Sequence, residues 1–388
     1  MAHVLMVGVA AHGHTRPHLP VIAELVERGH RVTYAIPAAF AEMVAATGAT
    51  PLVHTSVLPD QSRGEQWPTD PVEGTALFLD EAVQALPQIA EALGDDVPDI
   101  ALYDIGGYPA IVLARRFGIP AVQLSPALVA WDGYEKDLAE HLTFRQKPGY
   151  RAYLARFAAW LAESGIDDDP EQFVGRPRRS IVEIPRALQP SAEKVDESVY
   201  TFVGPDLDRR AAQEQWPASE RPLVLVSFGS AYHDRPDTFR ACVEAFAPLG
   251  WEVVLAIGPH VALDDLGELP STVTAHRWVP QLGVLGRASA FVTHAGMGGC
   301  SEGLYQGVPM IAIPQGVDQF GNAFLLEQLG VARTVATEDA TPAALREALL
   351  ALTSSDDVAT RLAEQRDAIR RAGGARVAAD VVEAELAR

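Results

Sequence analysis

The sequence predicts an α/β protein made of two successive doubly wound domains, each built on a parallel sheet. Short apolar runs suited to buried strands alternate with helix-like stretches along the whole chain, beginning at Val4 to Ala10. Such alternation specifies parallel pairing through crossover helices. The series halts at a polar, charged, proline-bearing stretch, Gly204 to Arg221, and begins again at Leu223. The chain has 388 residues, more than one typical domain holds. The expected divisions are a first domain over 1–204, a linker over 205–221, a second domain over 222–373 and a C-terminal helix within 374–388.

The first strand leads into a loop, Ala11 to Arg16, and Pro17 suits the first turn of the helix that follows. Val21, Ile22, Leu25 and Val26 form its apolar stripe, and Arg31 to Ile36 is the next strand. A helix over 38–46, a short strand at Thr50 to His54 and a Pro/Asp/Ser/Gly-rich loop over 56–75 come next. Asp80 to Leu93 reads as a helix despite Pro87, Asp99 to Tyr103 as a strand, Tyr108 to Phe117 as a helix and Ala121 to Leu124 as a strand. Residues 126–175 are helical and rich in aromatics, and strands near 182–184 and 200–203 end the first half. The second half reads as strands at 223–228, 252–257, 272–276, 290–293 and 310–313, with helices at 237–247, 320–329, 342–352, 355–372 and 380–386.

A hydrophobic content of 48% and a charged content of 21% fit a globular chain with a sizeable core. No run approaches the ~18 apolar residues of a membrane helix. The chain enters a strand with no basic segment before it, so no signal peptide is read. The cysteines, Cys242 and Cys300, are too few for a disulfide framework, which fits a reducing cytoplasmic compartment. The net charge of −20 argues against nucleic acid and anionic membrane as partners.

Two places carry chemistry. One is His294-Ala295-Gly296-Met297-Gly298-Gly299-Cys300-Ser301-Glu302-Gly303, which follows the apolar run Ala290–Thr293 and opens a helix. Its glycines let backbone approach a ligand closely, and the helix start favours an anion. Glu302 sits one to two turns in, placed to accept from hydroxyls. A nicotinamide fingerprint fails here, because Ser301 stands where its third glycine is needed. The other place pairs His14, past the first strand, with Asp104, past a later one; the ends of parallel strands converge on one sheet edge. A carboxylate fixing the tautomer of a histidine makes a base able to deprotonate an alcohol. From position alone, His12 is an alternative base. A serine-hydrolase elbow is absent. A metal site from His12, His14 and His18 is disfavoured, because Pro17 interrupts the turn and no ligating carboxylate is near in sequence.

The order Trp278-x-Pro280-Gln281, His294-x-Gly296-x-Gly298-Gly299-x-x-Glu302, Asp318-Gln319-x-x-Asn322 resembles the nucleotide-sugar signature of family 1 glycosyltransferases. The His14-x-x-Pro17 opening is similar to the family's start, where that histidine is the base, and Asp104 falls where its partner aspartate stands. The likeness spans nearly the whole chain and is greatest to bacterial macrolide glycosyltransferases. It implies the GT-B fold, with two Rossmann-like domains facing each other across a cleft. It implies a UDP-sugar co-substrate, with no required metal. By this resemblance Trp278 stacks on uracil, Gln281 binds base or ribose, Glu302 binds the ribose, and His294, Gly296, Gly298 and Gly299 hold the diphosphate with Ser227 and Ser230. Asp318 and Gln319 bind sugar hydroxyls, a pair that in relatives goes with glucose donors. An apolar acceptor, with a macrolide foremost, is walled by Arg16, Phe78, Trp131 and Tyr134. Thr15 and Arg16 depart from the family's common Val-Asn, so acceptor identity carries over least. A glycosyltransferase for aromatic polyketides or flavonoids, a GT-B epimerase and a non-catalytic drug-binding protein are the rival readings. Oligomeric state is not legible.

Overall fold

The structure, a computed structural model, describes residues 1–59, 65, 67–140, 142–229, 235–316 and 318–388. The chain divides into two compact units. One comprises Met1–Ile184, Ser191–Gly204 and Gly373–Arg388, and the other Pro185–Pro190 and Pro205–Ala372.

The first unit holds strands β1 (His3–Val7), β2 (Arg31–Ile36), β3 (Thr50–Val53), β4 (Ile100–Tyr103), β5 (Ala121–Ser125), β6 (Ser180–Val182) and β7 (Tyr200–Phe202). Their spatial order is β3-β2-β1-β4-β5-β6-β7, with every pairing parallel. Helices cover both faces, so β1 and β4 are buried along their length, which is why they read as continuous apolar runs. The chain winds outward from β1 in one direction and from β4 in the other. The β1/β4 crevice is therefore the topological switch point, where open α/β sheets bind ligands. Val7 pairs with Tyr103, so these two strands end level and the residues after them emerge side by side.

The second unit repeats the scheme with β8 (Leu223–Ser227), β9 (Glu252–Ala256), β10 (Val273–His276), β11 (Ala290–Thr293), β12 (Met310–Ala312) and β13 (Ala332–Thr334). The order is β10-β9-β8-β11-β12-β13, again parallel, with its switch point between β8 and β11. Ser227 pairs with Thr293 at that edge.

Several expectations are corrected. The first helix spans His12–Glu27, so the expected loop before Pro17 is already helical, and Pro17 and Pro20 lie inside the helix. The third helix begins at Pro71, well before Asp80. Asp70 caps it by accepting from the N–H of Val72 and Glu73, with proline at the first helical position. The stretch expected as a linker folds with the second unit and contains helix Asp208–Gln213. The C-terminal helix runs Gly374–Leu386 and returns to the first unit, burying Ala375, Ala378 and Val382 in a cluster with Val21, Ile22 and Leu25. Arg28 anchors it through Asp380 at 2.7 Å and Glu383 at 2.8 Å.

Candidate active site

In the first unit, β1 delivers its successor residues into the first turn of helix His12–Glu27, where the His14 N–H donates to the Ala11 carbonyl at 3.0 Å. Asp104 follows β4 directly. Nδ1 of His14 lies 3.1 Å from each carboxylate oxygen of Asp104, so the pair expected from strand-end convergence is formed. The carboxylate is fixed by the N–H of Ile105 at 2.6 Å and of Val9 at 3.4 Å. Asp104 is fully buried, whereas 26% of the His14 side chain stays exposed. With its Nδ1–H donated to a carboxylate, the neutral imidazole keeps a lone pair on Nε2, the state a general base requires.

His18, one turn on from His14, also faces Asp104, with Nε2 at 3.2 Å from Oδ2, and its Nδ1 is 2.7 Å from Oε2 of Glu183, just past β6. No carboxylate is near His18 in sequence, but the fold brings it two. Burial opposes a charge on His18, but Glu183 and then Asp104 outweigh it and raise its pKa to about 10. Burial likewise works against ionisation of Asp104, but His14 and His18 hold it well below the usual carboxylate range. His12, the rival base, instead lies against the ring of Phe40 at 5.1 Å. Among the described residues no group of three or more His, Cys, Asp or Glu is arranged to hold a metal ion.

The expected acceptor-side residues differ in their surroundings. Phe78 lies against the backbone of Gly106, where an added Cβ would meet its ring at 2.5 Å, so it stands beside the Asp104 turn. Trp67, not singled out from sequence, packs on Phe78 at 5.7 Å. Arg16 is half-buried two residues beyond His14. Trp131 is buried and donates Nε1–H to Asp137 at 2.8 Å, and Tyr134 packs edge-on against it at 6.0 Å beneath the Arg176 guanidinium. Trp131 is thus part of a closed local packing and not an open wall. Tyr150, Tyr153, Phe157 and Trp160 are core residues of the first unit.

In the second unit, β11 ends at Thr293 and the chain turns through Ala295 and Gly296 into helix Met297–Gln306. Two glycines make room for His294. A Cβ on Gly296 would fall 2.4 Å from its Nε2, and one on Gly229, after β8, would fall 2.6 Å from its Cε1. Gly229 also has φ +72, open to glycine at no cost. Burial pushes the His294 pKa down to about 4, so its imidazole is neutral and suited to donating to a phosphate oxygen. No side chain caps the N-terminus of this helix, which leaves amide N–H groups there to face an anion, and a Cβ on Gly298 would meet open space. Gly299, by contrast, packs on Thr293 and Phe291. Ala295 is buried at φ +62, a strained conformation for a residue with a Cβ, and Asn322 holds it by donating Nδ2–H to its carbonyl at 3.0 Å.

Glu302 and Gln281 meet directly, the amide donating to Oε2 at 2.8 Å. The other carboxylate oxygen accepts from Arg210 at 2.8 Å, and Arg210 also donates to Glu214 at 3.0 Å. Arg210 sits on helix Asp208–Gln213, within the stretch expected as linker, so nothing local marks it. Trp278 stays 65% exposed, its ring free to stack. Asp318 accepts from Asn322 at 2.8 Å. The expectation that Gln319 presents its side chain to a sugar is modified: it is buried, and its carbonyl oxygen accepts from the N–H of Gln315 and Gly316. Ser227 is buried at the end of β8, and Ser230 lies outside the described residues.

The family of UDP-glucoronosyl and UDP-glucosyl transferases matches residues 179–359. The chain is 54% identical to the oleandomycin glycosyltransferase of Streptomyces antibioticus, over 99% of this chain and 91% of that one. It is 35% identical to an NDP-glycosyltransferase of Bacillus licheniformis, over 99% of this chain and 98% of that one. The crystal structure of the glycotransferase of kitacinnamycin matches with a TM-score of 0.92 at 44% identity, over 99% of this chain and 98% of that one. Likeness of this extent makes the protein a glycosyltransferase enzyme of the GT-B fold. It belongs to family 1 of the glycosyltransferases, the UDP-glycosyltransferases.

Proposed function

We propose that the enzyme is an inverting O-glycosyltransferase that moves glucose from UDP-glucose to a hydroxyl of a large apolar natural product, a macrolide. The observation that carries the reading is His14 held by buried Asp104 at 3.1 Å, with its outer nitrogen left basic. His14 removes the proton from the acceptor hydroxyl through Nε2, and Asp104 stabilises the imidazolium that forms. The acceptor oxygen attacks the anomeric carbon from the face opposite the diphosphate. The bond to the diphosphate oxygen breaks, UDP leaves with the electron pair, and an α-linked donor gives a β-glycoside. In the second unit, the neutral His294 and the helix start at Met297 and Gly298 supply N–H groups to the charge that grows on the leaving diphosphate. Trp278 stacks the base, Gln281 and Glu302 bind the nucleoside, and Asp318 binds the sugar, with Gln319 ordering the loop beside it through the Gln315 and Gly316 N–H groups. No metal is required in this scheme.

The acceptor class rests on the relative named for oleandomycin, and the sugar on the Asp318–Gln319 pair. Glucosylating a macrolide blocks a hydroxyl the drug needs, so self-protection of a producing cell is the role we assign. The reading places the enzyme in the cytoplasm, in keeping with two free buried cysteines, Cys242 and Cys300. The test is incubation with UDP-glucose and pooled macrolides, flavonoids and aromatic polyketides, without added metal, with products read by mass. A hexose-mass gain on a macrolide is expected. UDP release with no adduct in any pool would favour an epimerase-like or hydrolytic reaction, and turnover only with another nucleotide sugar would move the donor assignment.

A further inference from the structure

The pairing of Asp104 with two imidazoles reaches beyond the base itself. His18 is fully buried, with Nδ1 bonded to Glu183 at 2.7 Å and Nε2 in ionic contact with Asp104 at 3.2 Å, outside hydrogen-bond geometry. Glu183 is buried too, and its second oxygen, Oε1, has no hydrogen-bond partner among the described residues. His18 is placed to act as counter-charge to both carboxyl groups, and breaking a buried ion pair is strongly unfavourable. Among the described residues, Tyr34 on β2 also faces the cluster, and burial, followed by Asp104 and Glu183, pushes its phenol up and keeps it neutral. The Glu183 N–H is tied to the Ser125 carbonyl at 2.9 Å, which pins it to the end of β5.

We propose that His18 and Glu183 are positioning residues for the base: an imidazolium at His18, set between two carboxylates, holds Asp104 ionised beside His14. The cluster of Asp104, His18 and Glu183 then carries one net negative charge while His14 is neutral. It becomes neutral overall once His14 takes the acceptor proton. His18 tempers the basicity that Asp104 lends to His14, and Glu183 restores it. The inference rests on His14 being the base, but the charge state of His18 can be read without turnover.

Nitrogen-15 NMR of the labelled wild-type protein at pH 8.5 reads that state. A doubly protonated imidazolium is expected among its 11 histidines, absent in His18→Gln. If the wild type shows only neutral imidazoles at that pH, the proposal fails, whether or not the variant folds. The second arm follows the acid limb of kcat/KM against pH. Removing the cation by His18→Gln should move the midpoint up by about one pH unit, and removing the anion by Glu183→Gln should move it down by a similar amount. The double variant should return toward the wild type. Shifts in one direction for both variants, or lost activity with an unmoved midpoint, mean that these residues only pack. If His14→Ala retains full transferase activity, the base assignment itself is wrong, an outcome the NMR arm keeps separate.

Discussion

Gly296 stands so near His294 that a Cβ on it would come within 2.4 Å of the imidazole Nε2. The backbone of Gly296 is ordinary extended chain, φ −66 and ψ 146, so alanine fits it without strain. Only the imidazole must move. Gly296→Ala is therefore expected to cost about 1–3 kcal/mol of overpacking and to displace the side chain assigned to the diphosphate. Calorimetry should show UDP binding weakened more than tenfold, with the fold intact by circular dichroism. Unchanged UDP affinity would remove His294 from the donor site.

Trp278 is exposed beside Gln281, and the assigned role is stacking. Base stacking on an aromatic ring is worth about 1–3 kcal/mol, so Trp278→Ala should weaken UDP binding about five- to 150-fold. Because Trp278 is 65% exposed, thermal stability should hardly change. A large loss of stability with little loss of affinity would make it a structural residue.

Arg210 reaches Glu302 while Gln281 occupies the other carboxylate oxygen. Arg210→Ala leaves Glu302 with one donor and weakens the restraint on its side chain. The expected result is a raised KM for the donor with kcat near the wild-type value, the pattern of lost uniform binding. An equal fall in kcat and kcat/KM would contradict this.

Stability should carry the mark of the buried cluster. The pKa of His18 is raised on folding from its ordinary 6.5 to about 10. Its contribution is thus fully present below 6.5 and is lost as pH rises through 10. Asp104 is depressed, so its contribution is present above the ordinary value of 3.8 and is lost as pH falls toward its folded value. Urea midpoints taken from pH 7 to 10 should fall more steeply for the wild type than for His18→Gln, a comparison that cancels other groups titrating in that range. Parallel slopes would mean that His18 is not charged in the fold.

The strand–helix alternation was legible because parallel strands buried on both faces are runs of apolar residues, as β1 and β8 show. The meeting of Asp104 with a histidine after β1 was legible for a topological reason, since both follow strand ends that a parallel sheet sets side by side, while the choice of His14 over His12 came from the family resemblance. Gly296 beside His294 was legible because close approach leaves few other residue types possible, whereas Gly229 lies after a different strand and was not. What stayed hidden depends on partners far along the chain. Glu183 meets His18 across 165 positions, and Arg210 meets Glu302 across 92. Neither pairing leaves a local pattern. The direction of a side chain was equally unreadable: Gln319 turns inward to loop N–H groups, and Trp131 turns to Asp137. The early start of helix Pro71–Leu93 was signalled by Asp70-Pro71, a cap and a first-turn proline inside a stretch whose composition suggested loop.

The most direct test compares wild type with His14→Ala on UDP-glucose and a macrolide, following both the product's anomeric configuration by NMR and UDP binding by calorimetry. The account predicts a β-glucoside from the wild type, a loss of about 100- to 10,000-fold in rate for the variant, and unchanged UDP affinity. An α-glucoside, or a His14→Ala enzyme that transfers at the wild-type rate, would contradict it.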